Sequence, residues 1–305
     1  MKNSSIIYSA EVSEAISADQ PILALESTIV AHGMPYPENL EYAREAEALA
    51  RKSGAVPATI AILDGTPCIG LEADQLEVLA RGEQVEKVAT REIGLVCARG
   101  QNGATTVSAT MHLANLAGIR VFATGGIGGV HQGVEESWDI SADLLELSRT
   151  PVIVVSAGAK AILDLPRTLE YLETMSVPVI GYRTHEFPAF YSKRSGLKLT
   201  ASAESAEEIA ATFLGQLEHE IKSGVLVANP VPEVSEIPME QMESIIAYAL
   251  QEAEKEGVVG KEATPYLLGR IVELTRGQSL STNRALALNN VSLGAEIAKA
   301  LSERS

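Results

Sequence analysis

Strand-length apolar runs recur along this chain, and most of them pass directly into a stretch of helical period. That alternation constrains the fold more than any other feature. PILALEST (residues 21–28) reads as a strand, ENLEYAREAEALARK (Glu38–Lys52) as an amphipathic helix and VEKVAT (85–90) as a strand. TTVSATMHLANLAG (105–118) reads as a helix closed by its glycine, RVFATGG (120–126) as a strand ending in glycines, and PVIVVSA (151–157) as another strand. SADLLELSR opens with an N-cap serine, PRTLEYLETMS gives the next helix, and PVIGY and GVLVANPVPE give two further strands. One exception breaks the βα rhythm. In ATIAILDGTPCIGL two β-favouring runs flank Asp64-Gly65, a two-residue hairpin signal, so antiparallel pairing enters the sheet before a helix over Ala73–Arg81. The expected fold is α/β: one three-layer α/β/α sandwich around a mixed, largely parallel sheet, with residues 1–305 forming a single domain.

Two regions depart from the alternation. Residues 183–202 are irregular, and FPAFYSKRSG within them holds three aromatics, which suggests an excursion or a lid. After GVLVANPVPE the pattern is mostly helical, over residues 239–257, 264–276 and 284–305.

Charge and composition narrow the function. A net charge of -16 argues against a nucleic-acid surface, although two or three local cations suffice for one phosphate of a small metabolite. Cys68 and Cys97 lie in apolar patterns without metal or redox spacing, no run reaches the length of a membrane helix, and the chain reads as a cytoplasmic protein.

Three places put chemically costly residues where strands end. In LESTIVAHGMPYPEN, Glu26 follows an apolar strand, where desolvation raises a carboxyl pKa and suits it to acid–base work; pairing with a nearby cation is the structural alternative. In FATGGIGGVHQGVEESWDISADL (122–144) the glycines would let backbone amides approach an anion, yet GGIGG matches neither a dinucleotide fingerprint nor a P-loop. Glu135, Glu136, Asp139 and Asp143 in that stretch offer oxygen ligands for Mg²⁺ or Mn²⁺, or simply a solvated face. His131 would meet a phosphate or cap the loop. In VVSAGAKAILDLP (154–166), small residues surround Lys160, which is either a snorkelling surface lysine or an amine able to attack a carbonyl.

ALESTIVAHGMPYPEN, GAVPATIAILDG, NGATTVSATM, VFATGGIGGVH, DISADL, SAGAKAILD, EYLETMSVPVIGY, PAFYS, LVANPVPE, GKEATPYLL and SLSTNRALALNN, in this order across residues 21–301, resemble the pseudouridine-5'-phosphate glycosidases of the indigoidine synthase A-like family. The resemblance implies a reversible, Mn²⁺-dependent cleavage of the C–C glycosidic bond of pseudouridine 5'-phosphate, giving uracil and ribose 5-phosphate through a lysine adduct at C1'. It maps the nucleophile to Lys160, the proton donor to Glu26 and the Mn²⁺ ligand to Asp139. Substrate contacts map to Lys87, Val107 and the triplet Ser141, Ala142 and Asp143, with His131 and Thr124 near the phosphate or ribose and Asn283 near the base. It also implies a homotrimer, one Mn²⁺ per subunit, and neither nucleic acid nor membrane as partner. The chain departs from the family where KVATREIG replaces the usual KVSRRDLP and where Gln132 follows His131, so Thr90 and Gln132 stand at positions that usually carry cations. Related activities consistent with the same lysine are a C-glycoside or phosphosugar lyase with another base, or a sugar-phosphate binding protein without turnover.

Overall fold

The computed structural model describes residues 6–258, 260 and 263–304; Lys261 and Glu262 of the GKEATPYLL motif lie outside the described residues. The elements run β1 (Ile7–Tyr8), α1 (Ala10–Ser17), β2 (Ile22–Leu25), α2 (Thr28–His32), α3 (Glu38–Lys52), β3 (Val56–Leu63), β4 (Thr66–Ile69), α4 (Ala73–Arg81), β5 (Val85–Val88), α5 (Ile93–Ala98), β6 (Asn102–Thr105) and α6 (Val107–Leu116). They continue with β7 (Val121–Ala123), α7 (Val134–Ser137), α8 (Ala142–Leu147), β8 (Ile153–Ser156), α9 (Leu165–Thr174), β9 (Val179–Tyr182), β10 (Ala201–Ala203), α10 (Ala206–Glu218), β11 (Val225–Ala228), α11 (Met239–Glu256), α12 (Ala263–Leu274) and α13 (Gln278–Ser302).

The sheet runs β1-β4-β3-β2-β7-β8-β11-β9-β10, with β6 paired on β3 and β5 on β6. All described pairings are parallel except β3–β4 and β3–β6. Helices cover the sheet in layers, as the alternation predicts, because parallel strands buried on both faces need apolar cover on each. The β3–β4 hairpin turns at Asp64 (φ 47°) and Gly65 (φ 74°), two left-handed residues in succession, as a tight two-residue turn requires. Helix α13 crosses β2, β7 and β8. It comes close enough that a Cβ on Gly294 would stand 2.8 Å from Leu23 Cδ1, so a larger residue there would force Leu23 to shift.

Four expectations need correction. The strand over residues 21–28 stops at Leu25: the buried Ser27 donates its hydroxyl to Ile60 O (2.7 Å) and accepts from Thr105 N (2.9 Å), which turns the chain into α2. VEKVAT is strand only to Val88, after which Thr90–Glu92 form a 3-10 turn. FPAFYSKRSG is neither lid nor excursion, since Phe187, Phe190 and Tyr191 are buried in the main core. The last helix begins at Gln278 rather than at residue 284, directly after Gly277 at φ 84°. No described helix is long and apolar enough to cross a membrane.

Candidate functional site

The carboxyl ends of the parallel strands converge, and there the side chains that strands cannot use for packing gather. Glu26 follows β2, Thr124 follows β7, Lys160 lies four residues past β8, Lys87 is the penultimate residue of β5, and Val107 opens α6 after β6. A cavity of about 230 Å³ lies at this edge, and Glu26, Lys87, Val107, Thr124, His131, Asp139, Ser141, Ala142, Asp143, Lys160 and Asn283 all line it. The crevice outside the carboxyl ends of the strands is where open α/β sheets bind ligands. All the residues the family resemblance maps to the site are therefore brought to one place, whereas Glu135 and Glu136 are not among the lining residues.

Each is held by identifiable contacts. The loop carrying Lys160 is laced to the glycine loop: Ile127 N donates to Gly158 O (3.1 Å), and Lys160 N donates to Ile127 O (3.0 Å). Gly158 is required there, at φ 82° and with the Pro188 carbonyl where a Cβ would stand. Thr124 donates its hydroxyl to Glu26 Oε1. The Thr124 carbonyl in turn accepts from Nδ2 of the fully buried Asn290 (2.8 Å), whose Oδ1 accepts from Asn229 at the end of β11 (2.9 Å). Asp143 is buried and accepts from Ser108 N (2.9 Å) and Gly128 N (2.8 Å), while Ser141 Oγ caps α8 by accepting from Asp143 N (3.2 Å).

Burial pushes the Glu26 carboxyl above the usual carboxylate range, and Asp143 adds to the shift. Lys160, Thr124 and Lys87 oppose it without reversing it. His131 is pushed the other way: burial lowers it, with Lys160 and Lys87 adding to the effect and Asp139 opposing it, so its imidazole is neutral at pH 7. A carboxyl whose pKa burial raises and a lysine thus line one cavity beside a neutral imidazole, an arrangement suited to proton transfer next to an amine nucleophile. Asn283 Oδ1, buried at the cavity wall, has no hydrogen-bond partner among the described residues and is left to accept from whatever fills the space.

Part of the backbone of the glycine loop is already committed to the protein's own acceptors. Ile127 N, Gly128 N and Val130 N are taken by Gly158 O, Asp143 Oδ2 and Thr168 Oγ1. The glycines also permit close packing, since a Cβ on Gly126 would strike the Phe190 ring (2.5 Å) and one on Gly128 would strike Ser141. The acidic run also splits. Glu135 and Glu136 are exposed, Glu135 lies 3.4 Å from Arg167, and Asp143 is consumed by backbone amides. Among the described residues no group of three or more His, Cys, Asp and Glu is placed to hold a metal. What remains, the Asp139 carboxylate at the cavity wall, fits a hard divalent ion such as Mn²⁺ held by one carboxylate with water and ligand oxygens, rather than in a protein cage.

Several lining residues were not singled out from sequence, among them Arg91, Phe190, Pro265 and Leu268. Arg91, in the 3-10 turn after β5, supplies a further cation at the cavity edge while pairing with Glu92 at 2.6 Å. The other three come from segments distant in sequence, with apolar identities that carry no local signal. Thr90, at a position where the family usually has arginine, donates to Glu146 Oε2 (3.0 Å).

Comparison with known proteins identifies the family of the chain. A family model described as "Indigoidine synthase A like protein" matches residues 11–300. The chain is 53% identical over 298 residues to a pseudouridine-5'-phosphate glycosidase of Staphylococcus aureus (strain MW2), covering 98% of this chain and 97% of the other. It is 55% identical to that of Jannaschia sp. (strain CCS1), covering 97% and 98%. Among solved structures it superposes on an indigoidine synthase A-like protein of Thermotoga maritima with TM-score 0.89 and 41% identity, covering 97% and 96%. It also superposes on the prealnumycin C-glycosynthase AlnA in complex with ribulose 5-phosphate, with TM-score 0.91 and 36% identity, covering 98% and 97%. Family model, relatives and fold concur: this chain is an enzyme and belongs to the indigoidine synthase A-like family.

Proposed function

We propose that this enzyme reversibly cleaves the C–C glycosidic bond of pseudouridine 5'-phosphate to uracil and ribose 5-phosphate, through a covalent adduct between Lys160 and C1' of the opened sugar. The observation that carries the proposal is that Lys160 and Glu26, whose carboxyl burial makes a weaker acid, line the same cavity. A carbon leaving group has no lone pair to protonate, so the oxocarbenium route of ordinary glycosidases is poorly available. The Lys160 amine bonds to C1' as the C1'–O4' bond breaks and the amine's proton passes to O4', which opens the ring; Glu26 then delivers its proton to the uracil carbon, and the nitrogen lone pair forms C=N as the C1'–C bond breaks. Water then hydrolyses the imine, releasing ribose 5-phosphate and the free amine. Lys87 and Arg91 supply positive charge for the phosphate, Asp143 and the α8 cap shape the sugar side, and Asn283 Oδ1 accepts from a uracil N–H. Asp139 would hold Mn²⁺, which when bound supplies positive charge beside the sugar or phosphate oxygens. A homotrimer in the cytoplasm belongs to the same proposal, and sedimentation velocity checks the subunit number.

The test is to incubate the protein with ribose 5-phosphate and Mn²⁺, add borohydride and map peptides by mass spectrometry. A reduced pentose-phosphate adduct on Lys160 is expected. Uracil release without any adduct, or an adduct confined to another lysine, overturns the mechanism.

A further inference from the structure

Glu26 and Thr124 also line a second, smaller pocket behind the main cavity. It measures about 10 Å³ and is bounded by Glu26, Thr124, Thr59 of β3 and Tyr42 of α3, and otherwise by apolar side chains and backbone. This is about the space that one water needs, with polar groups on more than one side to hold it. Its far wall leads outward. Thr59, 3% exposed, donates Oγ1–H to Glu47 Oε1 at 2.7 Å. The other Glu47 oxygen lies 3.6 Å from Arg51, which pairs at 2.7 Å with the half-exposed Glu11. A carboxylate near the surface is thus joined, by one hydroxyl and one water-sized space, to the carboxyl at the reaction cavity. Glu47, Thr59 and this pocket have no part in the chemistry assigned to Lys160 and Glu26.

We infer that Glu47 and Thr59, with one water in the rear pocket, return a proton to Glu26 while the main cavity is still filled. The inference rests on Glu26 acting as proton donor. Once Glu26 has given its proton to the departing uracil carbon, uracil and the sugar adduct occupy the front of the site. The polar route that avoids them runs through the back. Along it a protonated Glu47 reverses the Thr59–Glu47 hydrogen bond: the Thr59 hydroxyl turns toward the water, the Glu47 carboxyl gives its proton to Thr59 Oγ, the former Thr59 proton passes to the water, and the water gives a proton to the Glu26 carboxylate. Hydroxyl and water end as they began, and Glu47 takes its next proton from bulk solvent.

The groups facing this path are suited to it. Burial raises Glu47 above the usual carboxylate range, with Thr59 and Arg51 opposing and Glu11 adding to the shift. Glu26 is raised likewise, with Lys160, Thr124 and Lys87 opposing and Asp143 adding. Both carboxyls therefore hold a proton closer to neutrality than a free side chain does. Tyr42 is pushed above its ordinary range by burial and by the charges of Glu26 and Glu45, so it stays neutral and can orient the water without carrying charge. Glu47 and Thr59 are positioning residues in this account, because neither touches the substrate.

The experiment compares wild type, Glu47→Gln, Thr59→Val and Thr59→Ser. Uracil release is measured at steady state and in a single turnover with enzyme in excess, with and without added formate as a small diffusible acid. For Glu47→Gln and Thr59→Val, kcat and KM should fall together by about tenfold, because turnover then waits for product to leave before Glu26 is recharged. The first turnover and kcat/KM should stay near wild type, Thr59→Ser should restore kcat, and formate should restore it in Glu47→Gln. An unchanged kcat in both Glu47→Gln and Thr59→Val overturns the inference. So does an equal loss of kcat and kcat/KM that neither formate nor Thr59→Ser repairs, which marks a purely structural role. A wild type that releases no uracil would instead overturn the reading of function on which the path depends.

Discussion

Two buried carboxyls in this molecule titrate in opposite directions, and the contrast separates the part that reacts from the part that holds it. Glu26, at the end of β2, accepts one side-chain hydrogen bond, from Thr124, and burial dominates, so its pKa rises. The Glu146 side chain, on α8 one turn beyond Asp143, is only 1% exposed, and burial pushes it up as well. There His112, Thr150, Arg149 and Thr90 together pull harder, to about 2. The bonds are short: Thr150 Oγ1 at 2.6 Å, Arg149 Nη2 at 2.7 Å and Thr90 Oγ1 at 3.0 Å. A carboxylate surrounded by donors is locked in charge and geometry and can only brace. One left short of donors keeps a proton to give. Glu146 braces the cavity residue Asp143 through Thr90 and Ser108, because Thr90 N also donates to Ser108 Oγ (3.3 Å) and Ser108 N donates to Asp143.

The largest effects should fall on the reacting side. Lys160→Ala should reduce uracil release from pseudouridine 5'-phosphate to background with the fold intact, as read by circular dichroism; normal turnover would remove the covalent step and with it the reactive half of the contrast. Glu26→Gln keeps the shape and the acceptor for Thr124 but has no proton to give, so kcat should drop by roughly 10²–10⁴, the usual worth of a positioned acid. The bracing side should respond differently. Glu146→Gln leaves buried donors short of charge and should cost about 2–3 kcal/mol of unfolding free energy in urea, with kcat far less affected than in Glu26→Gln. A Glu146→Gln variant that is fully stable but inactive would erase the distinction.

How much of this contrast the sequence discloses depends on how local its causes are. The ENLEYAREAEALARK and ADQLEVLAR helices begin and end where their periodicity says, because an amphipathic face and a C-terminal break are written within one segment. The Asp64-Gly65 hairpin and the Ser141 cap are equally local. Strand β6 was not legible. Its residues NGAT have weak strand preference, and only pairing with β3 and β5, far away in sequence, makes a strand of them. Helix α10 carried a usable signal that went unread, with Ser205 accepting from Glu208 N at its cap. In the site, Glu26 and Lys160 stand out because strands end just before them, and the motifs give their order. Glu146 looks like an ordinary helix-surface glutamate three residues before an arginine. Only Thr90 and His112, brought in by other elements, make it a buried hub. The rear pocket is illegible for the same reason, since Glu47 and Thr59 meet across two elements.

Acid sharpens the comparison, and the signs are opposite. For Glu146, whose folded pKa is lowered, the stabilisation is fully present above the pKa of the unfolded carboxyl, near the ordinary glutamate value of 4.5, and is lost as pH falls toward about 2. The stability gap between wild type and Glu146→Gln should therefore be widest at neutral pH and should close progressively below pH 4.5 in urea midpoints measured across that range. A gap that stays constant down to pH 3 would mean that the lost contacts are steric and not ionic.

The smallest effect is the most discriminating. A carboxyl whose folded pKa is raised binds protons more tightly folded than unfolded, so at pH values above the unfolded value it subtracts from stability. The penalty is absent below pH 4.5 and grows as pH rises, the reverse of Glu146. Glu26→Gln removes it while leaving an oxygen for Thr124 to donate to, although the attraction of Lys160 and Lys87 for a carboxylate is lost as well. Because burial outweighs those attractions in the direction of the shift, the balance should favour the amide by about 1 kcal/mol at pH 7.5, roughly 2 °C in thermal midpoint. The same variant that loses turnover should thus melt higher, and the gain should vanish at pH 4. Were Glu26→Gln to melt lower at neutral pH, the two lysines would outweigh burial, Glu26 would rest as a carboxylate, and the proton it is asked to deliver would have to come from elsewhere in the site.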